Sequence, residues 1–246
     1  QGIVHGYATR ETPEMLPLPL VLAHRITAAL AAERKSGWLP WLRPDAKAQA
    51  TVLYEEGRPR SLETVVVSTQ HAPDIDLKEL REVLASRVLP EACGDWWPPG
   101  RLLINPAGAF VLGGPEGDCG VTGRKIIADT YGGAARHGGG AFSGKDAGKT
   151  DRSAAYFARM VARQIVLRGI ADRAEVGLAY AIGVQEPVGI AVDTHGTGCR
   201  ATALDYARRF DFRPAAMVER LGLRRPIFRS TTNYGHFGKP ELPWEK

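Results

Sequence analysis

The chain has 246 residues, which is enough for one large domain or two ordinary ones with a substantial hydrophobic core. Apolar residues make up 44% and charged residues 24%, values that exclude a disordered or fibrous chain. The 32 Lys and Arg residues outnumber the 27 Asp and Glu residues, and the net charge of +5 by itself indicates only a tolerance for anionic partners.

The cysteines and the apolar segments indicate the compartment. Cys93, Cys119 and Cys199 are odd in number, widely spaced and without a CxxC pair, which argues against a disulfide framework and against a zinc site. The most apolar stretch, residues 16–32, is interrupted by prolines and by charged and polar residues, and a bilayer span needs roughly 20 apolar residues. We therefore expect no signal peptide, no membrane partner and a reducing, cytoplasmic location.

The first half of the chain predicts helices alternating with pairs of strands. In chain order the expected elements are a helix over 18–35, strands over 50–55 and 62–69, a helix over 76–89, and short strands over 102–105 and 110–112. The turn Glu56-Gly57-Arg58-Pro59 indicates a hairpin between the first two strands. Asp74 or Asp76 is the N-cap candidate of the second helix.

The second half begins with a long glycine-dense segment, residues 113–148, and a loop of this length in a compact protein is usually functional or mobile. The elements expected after it are a helix over 152–168, strands over 175–182 and 188–194, and helices over 202–210 and 214–221. This order predicts an α+β fold of repeated ββα-type units, with helices packed on one face of mixed or antiparallel sheets. The composition change near 113–117 predicts domains over 1–115 and 116–246.

One glycine-rich motif has the composition of a phosphate site. Residues 139–145 (GGAFSGK) match the GxxxxGK spacing of a P-loop, but Asp146 follows where Ser or Thr would bind Mg²⁺, so the P-loop assignment fails. Glycines still let main-chain N–H groups approach phosphate oxygens, and Lys145 supplies charge. The alternative is a flexible loop with incidental lysines.

Two further segments are candidate binding sites. In residues 117–125, Asp118 precedes the adjacent Arg124 and Lys125, a pair that suits a polyphosphate, although a solvated turn is an equal alternative. Strand alternation places Lys47 on one face with Gln49 and Thr51, although a solvent-exposed lysine is the simpler interpretation. The six histidines lack metal-ligand spacing, and no GxSxG motif or activated cysteine supports covalent catalysis.

Short, distinctive segments are spread over nearly the whole chain. In the first part these are residues 6–9 (GYAT), 11–12 (ET), 39–47 (LPWLRPDAK), 67–71 (VSTQH) and 104–106 (INP). In the second part they are residues 113–115 (GGP), 117–120 (GDCG), 122–125 (TGRK), 129–133 (DTYGG), 136–146 (RHGGGAFSGKD), Lys149, 151–156 (DRSAAY), 234–238 (YGHFG) and 243–246 (PWEK). Taken together, these segments resemble the S-adenosylmethionine synthetase family, and so many matching segments exclude coincidence.

The resemblance implies a reaction. In this family the methionine sulfur attacks C5′ of ATP, the whole triphosphate leaves, and the bound triphosphate is hydrolysed to pyrophosphate and phosphate. A thioether has no proton to lose, so the reaction needs no general base. It needs alignment of the reacting atoms and stabilisation of charge on the triphosphate, for which lysines, arginine and Mg²⁺ are suited.

The resemblance also implies roles for individual residues. The implied catalytic residues are Lys47, Arg124, Lys125 and Lys145. The implied ATP-binding residues are Asp45, Ala46, Lys47, Phe110, Asp118, Arg124, Lys125, Ala141 and Lys145, with Phe110 packing on adenine and Lys47 near the reacting carbon. Asp118 and Lys149 are the implied methionine-binding residues, and Asp151 is the implied Mg²⁺-associated carboxylate.

The resemblance further implies Mg²⁺ and K⁺ as cofactors and assembly as a dimer of dimers. Two departures are evident. Ala109 stands where the family usually has a basic residue. The chain begins at Gln1 without the family's N-terminal segment, which carries a Gly-His-Pro-Asp-Lys motif, so we expect that segment to be absent.

Two other functions stay open at this point. A non-catalytic polyphosphate-binding subunit of the same fold would keep the loop without turnover. A nucleic-acid-binding module would account for the sequence pI of about 9.2. It is the weaker alternative, because the basic residues of the loop lack interleaved aromatic residues. We therefore expect no nucleic-acid partner.

Overall fold

The computed structural model describes residues 2–246, which divide into two compact units. Unit I consists of residues 18–121, and unit II consists of residues 2–17 together with 122–246. Unit II is therefore assembled from two separate parts of the chain. The predicted sequence domains over 1–115 and 116–246 stay a prediction.

Unit I contains one mixed sheet with helices around it. Its elements are α1 (Leu18–Ser36), β2 (Leu42–Glu55), β3 (Arg58–His71), α2 (Leu77–Val83), a π-helical turn (Leu84–Val88), α3 (Leu89–Cys93) and β4 (Arg101–Ile104). Strands β2 and β3 are antiparallel around the tight turn Glu56-Gly57, and β4 is parallel to β3. The predicted hairpin and the predicted first helix are confirmed. Both strands of the hairpin are longer than the predicted ranges of 50–55 and 62–69.

The sheet of unit I is covered on one face. Buried Leu22, Ile26 and Leu30 of α1 pack in the same core cluster as Val65 and Val67 of β3. The Ala residues that alternate along β2 at 46, 48 and 50 join this core, so their neighbours point to the other face. The predicted cap is also confirmed, because the Asp76 carboxylate accepts hydrogen bonds from the Lys78 and Glu79 N–H groups.

Unit II contains an antiparallel sheet in the order β1-β5-β6. Its strands are β1 (Gly2–Thr9), β5 (Arg173–Tyr180) and β6 (Gly189–Asp193), and its helices are α4 (Ile126–Asp129), α5 (Thr150–Leu167), α6 (Arg200–Ala207) and α7 (Pro214–Arg220). The sequence analysis missed β1. Helix α5 packs on β1 and β5, and a Cβ at Gly6 would lie only 2.0 Å from the main-chain carbon of Ala158. Only glycine therefore permits this close approach.

The structure confirms the α+β class and corrects one predicted element. The glycine-dense segment 113–148 is largely irregular, as predicted, with only a 3₁₀ turn at Gly114–Glu116 and the short α4 inside it. The predicted strand over 110–112 is wrong, because this segment pairs with no strand along its length. Its main-chain groups bond instead to residues at the end of β3. No helix in residues 2–246 has the length and apolar character needed to cross a lipid bilayer.

Candidate functional site

In unit I, the predicted nucleotide-side residues lie along β2. Lys47 is exposed on the sheet face opposite the core, with Gln49 and Thr51 on the same side, as the alternation predicts. Ala46 faces the core. Lys47 pairs in register with Ser68 of β3. Its ammonium is therefore available on an open, polar sheet face.

Asp45 connects β2 to the loop after β4. Its carboxylate Oδ2 accepts a hydrogen bond of 2.9 Å from the Gly114 N–H. The Asp45 N–H donates to Gln70 Oε1 at 3.4 Å, and Gln70 Nε2 donates to the Val111 carbonyl at 3.0 Å. Polar groups of β2 and β3 therefore hold the loop at Val111 and Gly114, just after Phe110.

Phe110 itself is held by His71. The His71 N–H donates to the Phe110 carbonyl at 2.9 Å, and the Phe110 N–H donates to His71 Nε2 at 2.9 Å. Since Nε2 accepts, Nδ1 carries the ring proton and donates to the Ala72 carbonyl at 2.8 Å. The half-buried Phe110 ring lies so close to Gly113 that a Cβ there would come within 2.8 Å of it. The main chain of Phe110 is thus fixed by His71, and its ring lies against Gly113.

Three more predicted residues, Asp118, Arg124 and Lys125, lie in the segment after Phe110. In unit I, Asp118 is exposed, and its Oδ1 accepts a hydrogen bond of 3.2 Å from the Gly120 N–H. In unit II, Arg124 and Lys125 are exposed immediately before α4. Ala141 lies next to Gly123, where an added Cβ would come within 2.9 Å of the Ala141 methyl group. Ala141 therefore packs beside the turn that leads into Arg124.

Lys145 and Asp151 form a charged pair at the glycine-rich motif of unit II, residues 139–145. Lys145 Nζ lies 2.5 Å from Asp151 Oδ2, and both side chains are 32% exposed. Asp151 is in the first turn of α5, where the helix dipole favours a carboxylate, and Lys149 is the N-cap residue. A Cβ at Gly140 would lie 2.5 Å from Asp151 Cγ, so only glycine lets the loop lie against this carboxylate. The structure thus brings Lys145, Lys149 and Asp151 to one helix end.

The sequence analysis did not single out a buried carboxylate next to Arg136, at the start of the glycine-rich segment 136–146, which we call the glycine loop. Glu175 on β5 is 3% exposed, with His5 Nδ1 and Arg136 Nη1 each 3.0 Å from its Oε1. Burial acts to raise the pKa of Glu175, but the hydrogen bonds from His5 and Arg136 outweigh it and hold the pKa below its usual value. Glu175 thereby anchors Arg136 at the entrance of the glycine loop. The sequence did contain a signal for this site, since Glu175 is a charged residue in the otherwise apolar predicted strand over 175–182. A buried charge requires partners, so such a residue indicates a polar site.

His137 follows Arg136 and faces a small cleft that Asp151 also lines. Its Nδ1 accepts a hydrogen bond of 2.7 Å from the Gly139 N–H. Burial, followed by the proximity of His5, lowers the pKa of His137, so the imidazole is neutral. It therefore shapes the glycine turn rather than adding charge to it.

A second group that the sequence analysis missed lies behind the loop. Arg152, Tyr156 and His236 are buried and linked by hydrogen bonds. Their residue types occur in the quoted motifs 151–156 and 234–238, but 80 positions separate Tyr156 from His236. No local pattern could therefore predict that they meet.

Together, the fold and these loops define an α+β protein with a glycine-rich, lysine-bearing candidate anion site. A family model of the S-adenosylmethionine synthetase central domain matches residues 1–110, and a model of the S-adenosylmethionine synthetase C-terminal domain matches residues 112–246. The chain belongs to the S-adenosylmethionine synthetase family. These domains indicate a role in S-adenosylmethionine synthesis and point to transferases of the methionine adenosyltransferase type.

The family generally uses metal ions. Among residues 2–246, no three His, Cys, Asp or Glu side chains are grouped so that they could hold a metal ion. Asp151 is a single carboxylate whose Oδ2 is already paired with Lys145. Mg²⁺ in proteins is commonly held by only one or two carboxylates together with substrate phosphates and water. A lone carboxylate beside an anion site is therefore compatible with Mg²⁺ that arrives with a polyphosphate.

Proposed function

We propose that this chain takes part in the synthesis of S-adenosylmethionine from ATP and L-methionine. The methionine sulfur attacks C5′ of ATP, the C5′–O bond breaks, and the triphosphate departs with the electron pair. Hydrolysis of the triphosphate to pyrophosphate and phosphate follows. The observation that carries the proposal is the Lys145–Asp151 pair against the glycine loop, in a chain that two adjacent domain models of the family match.

The chemistry of the side chains supports this reaction. The attacking thioether carries no proton, so a site without a general base is sufficient. The barrier lies in aligning three atoms and in stabilising the charge that grows on the leaving triphosphate. We assign the stabilising charges to Arg124, Lys125 and Lys145, with main-chain contact at Ala141.

We assign the nucleoside-binding and methionine-binding roles to the residues that the family resemblance implies. We assign Asp45, Ala46, Lys47 and Phe110 to the nucleoside part of ATP, with Lys47 facing the reacting carbon. We assign methionine binding to Asp118 and Lys149, and contact of Asp118 with the ribose side. The hydrogen bonds of His71 to the main chain of Phe110 support an adenine-packing role, because a residue whose main chain is already fixed loses less freedom when a base stacks on its ring.

Asp151 would hold Mg²⁺ through the carboxylate at the start of α5. The ion supplies charge neutralisation for the polyphosphate when it is bound. Lys145, which pairs with Asp151 in this structure, would then turn toward the phosphate oxygens. We assign no residue to K⁺. Assembly as a dimer of dimers stays a prediction.

The test is formation of S-adenosylmethionine from ATP and L-methionine, with Mg²⁺ and K⁺, by the protein at its natural length. Product and released phosphates are followed by mass spectrometry and phosphate assay. We expect one pyrophosphate and one phosphate for each S-adenosylmethionine. Tight triphosphate binding without any product would instead support a non-catalytic polyphosphate-binding subunit.

A further inference from the structure

A buried guanidinium lies directly behind the glycine loop of unit II. Arg152 is 3% exposed, although it follows Asp151, whose side chain is 32% exposed. Its Nη1 donates a hydrogen bond of 2.7 Å to the Lys145 carbonyl, and its Nη2 donates to Thr231 Oγ1 at 3.1 Å. The guanidinium carbon lies 3.7 Å from the centre of the Phe228 ring. Arg152 is therefore fixed on several sides and holds the main chain of Lys145 directly.

A second connection leads from Arg152 to the other side of the loop. Arg152 Nε donates to the Tyr156 hydroxyl at 3.0 Å, and that hydroxyl lies 2.7 Å from His236 Nδ1. His236 Nε2 lies 3.4 Å from Ser143 Oγ. Hydrogen bonds thus connect the helix to the loop through buried Arg152, Tyr156 and His236 and partly buried Ser143, and we call these four residues the relay.

The direction of each hydrogen bond in the relay follows from the donors present. A guanidinium only donates, so the Tyr156 oxygen accepts from Arg152 and gives its one proton to His236 Nδ1. Burial, and after it the charges of Arg152 and Lys239, lower the pKa of His236 to about 3, so its ring is neutral. The ring proton is therefore on Nε2 and is donated to Ser143 Oγ.

The two connections end on either side of one glycine. The relay holds Ser143, and Arg152 holds the carbonyl of Lys145, while Gly144 between them has a φ of 86°. Glycine has no Cβ and therefore has more main-chain freedom than any other residue. Because both neighbours of Gly144 are held, this freedom is lost. The main-chain position from which the Lys145 side chain extends is therefore fixed.

We propose that Arg152, Tyr156 and His236 are positioning residues that hold Lys145 ready for the triphosphate. The inference rests on the proposed function, because it takes Lys145 as the group that meets the leaving polyphosphate. None of the three needs to touch the substrate. Their effect is to fix the main chain around Ser143 and Lys145 beforehand, so that less conformational entropy is lost when the Lys145 side chain turns from Asp151 to the anion.

The test is a double-mutant cycle on binding of inorganic triphosphate with Mg²⁺ to the whole chain, measured by isothermal titration calorimetry. Tyr156→Phe deletes the hydroxyl in the middle of the relay and leaves the ring. We expect it to weaken binding about threefold to tenfold when Lys145 is present. In the Lys145→Ala background we expect it to change binding by less than about twofold. Coupling of this kind distinguishes positioning of Lys145 from a general loss of structure.

A matched control is available elsewhere in unit II. The Tyr206 hydroxyl accepts a hydrogen bond of 2.7 Å from Arg168 Nε, the same pairing as in the relay but far from the loop in sequence. Tyr206→Phe should leave triphosphate affinity unchanged. Ser143→Ala removes the hydroxyl that accepts the last hydrogen bond of the relay, and Ser143 lies in the loop. If Tyr156→Phe does not fold, Ser143→Ala replaces it in the double-mutant cycle with Lys145→Ala.

Three outcomes would overturn the inference. Equal weakening by Tyr156→Phe or Ser143→Ala in both backgrounds would show that the relay does not act through Lys145. Unchanged affinity in the Lys145-containing background would do so as well. If Lys145→Ala leaves triphosphate affinity intact, both the inference and the proposed role of Lys145 fail. If Lys145→Ala weakens triphosphate binding but Tyr156→Phe and Ser143→Ala do not, only the role of the relay is refuted.

Discussion

His71 and Phe110 are joined by two hydrogen bonds, one from the main chain of His71 and one to its imidazole. We expect His71→Ala to release the Phe110 loop and to raise the Kd for an ATP analogue about tenfold. The Kd for inorganic triphosphate should stay within about twofold, because that ligand has no base to stack. Calorimetric titration of both ligands provides the comparison.

Phe110→Leu is the companion variant for this prediction. It keeps the His71 hydrogen bonds to the main chain but removes the aromatic ring. We expect the same selective loss of ATP affinity. Equal loss of ATP and triphosphate affinity in either variant would contradict the assignment of Phe110 to adenine.

Lys125 and Lys145, the lysines assigned to the polyphosphate, should act mainly by stabilising the transition state. Lys145→Ala and Lys125→Ala should each lower turnover about 10²-fold or more and affect methionine binding far less, because the charge that they oppose grows during the reaction. Steady-state kinetics with both substrates gives kcat and KM. Lys78→Ala, which changes an exposed lysine of α2, is the control. Parallel losses in kcat and methionine affinity would indicate a structural role.

Lys47 should separate the two half-reactions. Lys47→Ala should impair adenosyl transfer more than hydrolysis of added triphosphate, because Lys47 lies on β2 and not on the glycine loop. Gln49→Ala, on the same exposed face of β2, should leave both steps unchanged. Assays of S-adenosylmethionine formation and of phosphate release report the two steps. If Lys47→Ala lowers both equally, the residue does not act at the reacting carbon.

His236 should make the stability of the protein depend on pH. Burial lowers its pKa in the folded state from 6.5 to about 3, so between these values the unfolded chain binds more protons. The free energy of unfolding should therefore decrease as the pH falls below 6.5, by up to about 1.4 kcal/mol per pH unit from this group.

The measurement for His236 is urea unfolding at several pH values between 7 and 4, for the wild type and for His236→Gln. The variant should be less stable at pH 7 because the relay is broken, and its stability should fall less steeply with pH. Parallel stability curves for the two proteins would show that the imidazole does not titrate as expected.

The cysteines should differ in reactivity. Cys93 is buried, and burial raises the pKa of its thiol to about 11. Cys199 is exposed at the N-cap of α6, where hydrogen bonds from the Thr202 side chain and then from nearby main-chain N–H groups lower its pKa. At neutral pH, iodoacetamide should modify Cys199 in the folded protein and Cys93 only after unfolding. Peptide mass spectrometry, with Cys199→Ser as control, checks the order, and early modification of Cys93 would contradict it.

Features that depend on neighbours in sequence were predictable. Helical spacing identified α1, the Asp76 carboxylate was recognisable as a cap, and the turn Glu56-Gly57 marked the hairpin. Each rests on interactions within a few positions, which periodicity and residue type record directly. The family motifs were readable for the same reason, because each lies within a short segment.

The predicted strand over 110–112 failed for a related reason. Its residues have strand-like composition, but whether a segment pairs depends on a partner strand rather than on propensity. At this position the His71 side chain and Gln70 take the main-chain hydrogen bonds instead. The role of β1 was equally hidden, since its partner β5 lies more than a hundred positions away along the chain.

By itself, the sequence determined the α+β class, the family, the glycine-dense loop and the residue types available for a polyphosphate. Only the tertiary structure decided which of those residues meet. It paired Lys145 with Asp151 and joined Tyr156 to His236 across 80 positions. The physical reason is that local propensity acts over a few residues, whereas buried polar groups must find partners wherever the packed chain brings them.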